Sequence, residues 1–268
     1  MKTLEMRDVS VVRNGKRILD SIDLVIEKNE SAAIIGKNGS GKTTLMKLLR
    51  KEINPYYNED SPSTMKIFGA EDWSIFEIRS RMGIVSMDLQ YQFEEVTLVS
   101  EVIASGFFGS LDIFRNMTVT DKMTERIGNA ALAMGIEDLL GRTIGGLSIG
   151  EMRRTLIARA LVTEPDVLVM DEPMTGLDVV MASKFRKMFD ILIKNGVSLM
   201  IVTHDLSDIP TCIDRVIMMK DGKIFADGKK DLLFNDRTMS ELYDEPINVE
   251  CDDGVYRMHL SECGSRIK

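Results

Sequence analysis

The sequence predicts an α/β fold with an antiparallel β subdomain at its start and an α-helical subdomain inserted in its middle. Three observations carry this. Short, continuously apolar runs at 31–35, 167–170 and 198–202 alternate with helical periodicities, the pattern of a buried sheet flanked by helices. An Asn14-Gly15 pair separates two strand-like stretches, 4–12 and 22–27, as in an edge hairpin. Residues 96–160 hold three successive helical patterns, Val96–Phe108, Thr120–Met134 and Ile149–Leu161.

In chain order, the hairpin is followed by the apolar strand Ser31-Ala32-Ala33-Ile34-Ile35 and then by Gly36-Lys37-Asn38-Gly39-Ser40-Gly41-Lys42-Thr43. That octet is the G-x-x-x-x-G-K-[ST] pattern of a phosphate-binding loop. Its glycines bring backbone N–H groups close to oxygen atoms. Lys42 can reach the β- and γ-phosphates, and Thr43 offers a hydroxyl to Mg²⁺. The helix formers from Thr44 to Leu49 place the loop at a helix N-terminus, whose dipole favours anions. Residues 54–64, with Pro55, Pro62 and Asn58-Glu59-Asp60, read as a surface loop. Residues 65–68 and 82–85 read as strands.

The three helices of 96–160 come next, with Thr120-Asp121 and Ser148 as N-cap chemistry. After them come a strand at 167–170, a helix from Met181 to Asn195 stopped at Gly196, and a strand at 198–202. A hairpin at 216–219 and 223–226 turns on Asp221-Gly222. Residues 230–268 read as one short helix and a last hairpin around Asp252-Asp253-Gly254, with plain packing as the expected role.

Three further patterns carry chemistry. Val167-Leu168-Val169-Met170 ends in Asp171-Glu172. A rigid apolar strand can deliver Asp171 to Mg²⁺, and Glu172 can act as general base on a water aimed at the γ-phosphate. Leu147-Ser148-Ile149-Gly150-Glu151 opens a helix, so its serine hydroxyl and glycine N–H form a second anion-binding element, or simply an N-cap. His204 follows the strand 198–202, at the carboxyl end where α/β sheets meet ligands.

These motifs, with Gly176-Leu177-Asp178 and Thr203-His204-Asp205, occur in the order and spacing of ABC-type ATPase cassettes, which the chain resembles over roughly residues 4–230. The resemblance implies a P-loop NTPase (RecA-like) core at 1–87 and 161–230, a helical subdomain at 88–160 and a short extension at 231–268. It implies ATP and Mg²⁺ as ligands and a head-to-tail homodimer or paired cassette with two ATPs at the interface. Gly36, Lys37, Asn38, Gly39, Ser40, Gly41, Lys42, Thr43 and Thr44 would hold the phosphates. Ser148 and Gly150 would meet the γ-phosphate held by the other subunit, with Glu151 in the same cofactor-binding element. Asp178 would couple the two sites, and His204 would contact the γ-phosphate. Thr43, Asp171 and a glutamine would organise the metal. Here the chain departs from the common pattern. Met87 stands at the usual glutamine position, so the assignment moves to Gln90, with Gln92 as the fallback. Arg13 stands where many cassettes stack an aromatic on the base, and its planar guanidinium can stack too. Ile149 and Glu151 replace the commoner glycine and glutamine. The stretches 83–90 and 105–110 look most like single cassettes grouped near molybdate and iron-complex importers.

Composition sets the bounds. The 268 residues are 44% hydrophobic and 28% charged, ordinary for a globular chain. A net charge of −8 argues against a chain that coats nucleic acid, and no direct nucleic-acid partner is expected. No apolar run approaches the ~20 residues that span a bilayer, and Met1–Asp8 lacks the apolar core of a signal peptide. A cytoplasmic location is expected, peripheral to the membrane through a separate integral permease. Cys212, Cys251 and Cys263 are far apart, which implies neither a disulfide framework nor a zinc site. The function expected is transport-coupled ATP hydrolysis. The alternative is a soluble ATP-driven switch on the ribosome or nucleic acid. The sequence carries one phosphate loop and no long heptad coiled coil, which weighs against tandem-cassette translation factors and chromosome-associated relatives.

Overall fold

The computed structural model describes residues 2–57, 62–72, 74–110 and 118–261. Parts of the predicted 54–64 loop, the stretch 111–117 and Cys263 lie outside the described residues. The first elements are β1 (Lys2–Arg13), β2 (Lys16–Glu27), β3 (Ala32–Ile35), α1 (Lys42–Leu49), β4 (Thr64–Ile67), α2 (Ile75–Arg81) and β5 (Met82–Val85). The middle holds α3 (Val99–Phe108), α4 (Asp121–Met134), α5 (Ile149–Leu161), β6 (Val167–Asp171) and α6 (Val179–Lys194). Last come β7 (Ser198–Thr203), β8 (Arg215–Lys220), β9 (Lys223–Lys229), α7 (Lys230–Leu233), α8 (Asp236–Tyr243), β10 (Ile247–Asp252) and β11 (Val255–Leu260). The chain forms two compact units, residues 1–71 with 201–268, and residues 72–200. The division falls within β7, all of whose residues are buried.

In the first unit, β1 pairs antiparallel with both β2 and β4. The β1–β2 turn is Asn14-Gly15, at φ 50° and 73°, the doubly left-handed form that matches strand twist. The second strand starts at Lys16 rather than at 22 as the sequence suggested. Register shifts in β1 and a positive φ at Ser21 break the alternation that would have revealed the first half of β2. Leu4, Met6, Leu19 and Ile22 are fully buried, and each such side chain contributes about 1.5–3 kcal/mol of hydrophobic stabilisation. β3 runs parallel to β8, with Ile35 opposite Met218, and β8 turns back into β9. The predicted terminal hairpin is present as β10–β11. The region before it holds two helices, α7 and α8, where one was expected.

In the second unit, β5 and β6 pair in parallel, Val85 opposite Met170. α2 is a helix that the sequence periodicity does not predict. Its signal is local: Ser74 Oγ accepts from the Glu77 N–H at 3.1 Å while the Glu77 carboxylate accepts from the Ser74 N–H at 2.8 Å, a reciprocal cap. α3 and α4 both pack on α5. Arg159 of α5 donates to Ser105 Oγ at 2.9 Å and to the Ser110 carbonyl at 3.0 Å. α6 seats Phe185 and Phe189 edge to face, 6.0 Å apart. No helix among the described residues is long and apolar enough to cross a membrane.

Candidate functional site

The phosphate loop is built by close packing in the first unit. All of β3 is buried, and the chain leaves it at Gly36. A Cβ on Gly36 would sit 2.3 Å from the Met219 carbonyl oxygen and 2.7 Å from Ser40 Oγ, so only hydrogen fits. Gly41, at φ +106°, enters α1; a Cβ there would meet Leu19 Cδ2 at 2.6 Å. The N-terminus of α1 has no side-chain cap and no acid in its first turn, so its first N–H groups suit an anion. Lys42 is buried, its Nζ donating to the Gly36 carbonyl at 2.6 Å and the Lys37 carbonyl at 3.0 Å. Ser40 is 4% exposed, and its Oγ has no hydrogen-bond partner among the described residues. A buried hydroxyl left unmatched costs about 1–3 kcal/mol, and an anionic oxygen would match it. Thr43 is exposed and Thr44 half-buried. The loop is also tied from outside: the Gly222 N–H donates to the Ser40 carbonyl at 3.0 Å, and the Gly222 carbonyl accepts from the Asp20 N–H at 2.9 Å.

Arg13 stands exposed at the end of β1, beside the Asn14-Gly15 turn. His204 follows β7 and is half-buried. Its carbonyl accepts from the Tyr243 hydroxyl at 3.0 Å. The residues after it are fixed by Thr203 Oγ1 donating to Asp208 at 2.8 Å and by Asp205 accepting from the Ser207 N–H at 2.8 Å. Burial, with Asp205 nearby, pushes the Tyr243 phenol up to about 12, so it remains a donor at neutral pH.

The second unit holds the remaining site residues. Four buried residues of β6 lead to Asp171, which is half-buried. Glu172 follows in the left-handed region at φ 47°, accepting from Thr175 Oγ1 at 3.1 Å. A non-glycine residue held there stores about 1–3 kcal/mol of strain, the kind that clusters at active sites. Ser148 caps α5 and Asp178 caps α6, the latter accepting from the Met181 N–H at 2.9 Å. The two helix starts touch, because a Cβ on Gly150 would lie 2.5 Å from Met181 Cε. Ser148, Ile149, Asp178, Val179 and Val180 are therefore exposed on neighbouring helix starts. The Glu151 carboxyl is held below its usual range by hydrogen bonds from the Ser148 N–H and hydroxyl. Gln90 and Gln92 share one 3₁₀ turn, Met87–Gln92, packed on α5; Gln90 is half-buried and Gln92 exposed.

A family model described as ABC transporter matches residues 19–175, more than half of the chain. The chain belongs to the ABC transporter family. This cassette is 31% identical over 251 residues to the ABC transporter ATP-binding protein YlmA of Bacillus subtilis, covering 92% of each chain. It is 32% identical to the zinc uptake system ATP-binding protein ZurA of Listeria innocua, covering 84% of this chain and 85% of that one. Among solved structures, cbiO1 of Clostridium perfringens, part of the ABC transporter complex cbiONQ, superimposes with a TM-score of 0.76 at 29% identity, covering 90% and 93%. The relatives favour the transporter ATP-binding reading over the soluble switch. The P-loop NTPase fold expected from the sequence is shared with these cassettes.

Two groups that touch the His204 segment and the loop 36–43 carried no sequence signal of their own, Tyr243 and Asp244. Asp244 binds Lys37 of the phosphate loop from 207 residues away. The one local sign was Asn235, which caps α8 by accepting from the Thr238 N–H at 2.9 Å.

Proposed function

We propose that the cassette binds Mg²⁺-ATP and hydrolyses it to ADP and phosphate in a head-to-tail pair, driving a separate membrane permease from the cytoplasmic face. The observation that carries the reading is the buried, unmatched Ser40 hydroxyl in a loop whose Lys42 ammonium is folded over its own carbonyls. A free hydroxyl beside an ammonium group suits phosphate oxygens. Residues 36–44 hold the phosphates and Arg13 stacks on the base. Bound Mg²⁺ would draw charge from the β- and γ-phosphates, and Thr43, Asp171 and Gln90 are the residues to hold it, with Gln92 in reserve. Glu172 takes a proton from the attacking water, and its backbone strain supports a fixed aim. His204 donates to the γ-phosphate as charge develops there.

The pairing surface is read from the touching starts of α5 and α6. Exposed Ile149, Val179 and Val180 follow Ser148 and Asp178 in the chain there, apolar groups suited to burial against a second cassette. Ser148 and Gly150 meet the γ-phosphate of the partner site, with Glu151 in the same binding element, and Asp178 links the two. Within this reading, residues 1–87 and 161–230 form the ATPase core, 88–160 the helical subdomain that meets the permease, and 231–268 an extension.

The test is capture from native membranes with a Glu172→Gln variant held closed by ATP. Recovery of an integral permease supports the reading. Recovery of ribosomes or nucleic acid without a membrane protein would sink the transport coupling while leaving the ATPase chemistry standing.

A further inference from the structure

The C-terminal end of α8 reaches two segments assigned above to the nucleotide. Met239 and Leu242 are fully buried, which fixes the helix against its own unit. Asp244 ends the helix in the left-handed region at φ 55°. Glycine or asparagine fills such a position at lower conformational cost. Asp244 instead presents a carboxylate to two ammonium groups. Lys37 of the phosphate loop donates to its Oδ2 at 2.8 Å, and Lys220, at the end of β8, donates to its Oδ1 at 2.5 Å. Lys220 also donates to the Glu241 carbonyl, so the helix end and the strand end are joined twice. One residue earlier, Tyr243 gives its hydroxyl to the His204 carbonyl. The His204 segment is held from another side as well, since β11 packs on the turn Leu206–Asp208.

Surface ion pairs contribute little to stability by themselves, and Asp244 is mostly exposed. What the contacts supply is position. A backbone carbonyl anchored by a half-buried phenol sets the direction of its own residue's side chain. The Lys37–Asp244 pair ties one residue of the loop to the end of α8.

We propose that Tyr243 and Asp244 are positioning residues for ATP hydrolysis: Tyr243 aims the His204 imidazole through its carbonyl, and Asp244 sets the phosphate loop through Lys37. This rests on the reading that His204 and residues 36–44 contact the phosphates of ATP.

The experiment measures steady-state and single-turnover ATPase activity of the full chain with Tyr243→Phe and Asp244→Asn, alone and in a His204→Ala background. Tyr243→Phe is expected to lower kcat about 3- to 10-fold, the scale of one hydrogen bond, with KM and Tm little changed. In the His204→Ala background it is expected to have no further effect. Asp244→Asn is expected to raise KM for ATP several-fold more than it lowers kcat, with Asp244→Glu restoring part of the loss. Equal losses from Tyr243→Phe with and without His204 would mean a general structural role and overturn the proposal, as would normal kinetics in both single variants. If Tyr243→Phe melts early, Asp244→Asn carries the decision through its KM effect. Lys42→Ala and Glu172→Gln serve as controls. Normal turnover in either would sink the underlying ATPase reading, whereas their inactivity beside unaffected Tyr243 and Asp244 variants would sink this inference alone.

Discussion

Ser148 Oγ donates to the Glu151 carboxylate at 2.7 Å while the same carboxylate accepts from the Ser148 N–H at 2.8 Å. The hydroxyl also accepts from the Glu151 N–H at 3.3 Å. The serine is therefore a helix cap whose donor is already engaged by an acid. To donate to a phosphate it must leave Glu151, and Glu151 would then face that phosphate as a like charge. Replacing Glu151 by glutamine keeps a side-chain acceptor and removes the charge. The expected outcome is ATP-dependent self-association tightened about 3- to 10-fold, a modest reduction of like-charge repulsion near a surface. Sedimentation of Glu151→Gln in a Glu172→Gln background, with and without ATP, checks this. Unchanged or weaker association would show that the Glu151 charge does not oppose the phosphate.

Ser148 itself allows capping and ligand binding to be separated. Ser148→Ala is expected to cost about 1 kcal/mol of stability through the lost cap and to abolish most turnover. Ser148→Asp restores an N-cap of similar strength but carries no hydroxyl donor. Thermal melts should show near-normal stability for Ser148→Asp, while its ATPase rate stays as low as that of alanine. Recovery of both together would reduce Ser148 to a cap.

Glu172→Gln preserves the size and hydrogen-bonding reach of the side chain but not its basicity. Loss of a general base lowers turnover by roughly 10²- to 10⁴-fold. ATP affinity, read by equilibrium binding of a fluorescent ATP analogue, is expected to stay within a few-fold of normal. Turnover near the wild-type rate would move the base elsewhere.

Gly36→Ala drives a methyl into the Met219 carbonyl at 2.3 Å, a backbone atom that cannot swing aside. Overpacking of this kind costs about 1–3 kcal/mol, and the distortion falls on the loop itself. Loss of measurable ATP binding with a lowered Tm is the expected result. An alanine variant that bound ATP normally would show that the loop adopts another path.

The Asp244 carboxyl is held down to about 2 by hydrogen bonds first from Lys220 and then from Lys37. An ordinary aspartate titrates near about 3.9. A depressed folded-state pKa gives stability that is fully present above about 3.9 and disappears as pH falls toward about 2. Screening at this exposed site keeps the contribution small, so the Tm difference between wild type and Asp244→Asn should be small and constant from pH 5 to 8 and should shift in favour of the variant below pH 4. A shift in favour of the wild type on acidification would reverse the sign of the interaction.

How much of this was legible depended on distance along the chain. Asn14-Gly15, the caps at Thr120 and Ser148, and the strand–loop–helix around Lys42 are local signals, and the structure contains each of them. The missed helix α2 had its own local mark in Ser74 and Glu77 but spans only seven residues, too few for a period to show. The first half of β2 was hidden by irregular register. Tyr243 and Asp244 were invisible for another reason. Their meaning comes from partners 39 and 207 residues away, and no spacing rule links such positions. Sequence patterns also name a cap and a phosphate ligand with the same serine, and at Ser148 only the geometry shows the competition with Glu151.

The tie between Gly222 and the phosphate loop bears on how the chain is made. The loop's last turns are closed by the Gly222 N–H on the Ser40 carbonyl, and its first glycine lies against Met219. A ribosome delivers residues 36–43 early and residues 219–222 much later. The loop's full set of backbone contacts is therefore complete only after residues 219–222 have been made, however early its own residues emerge.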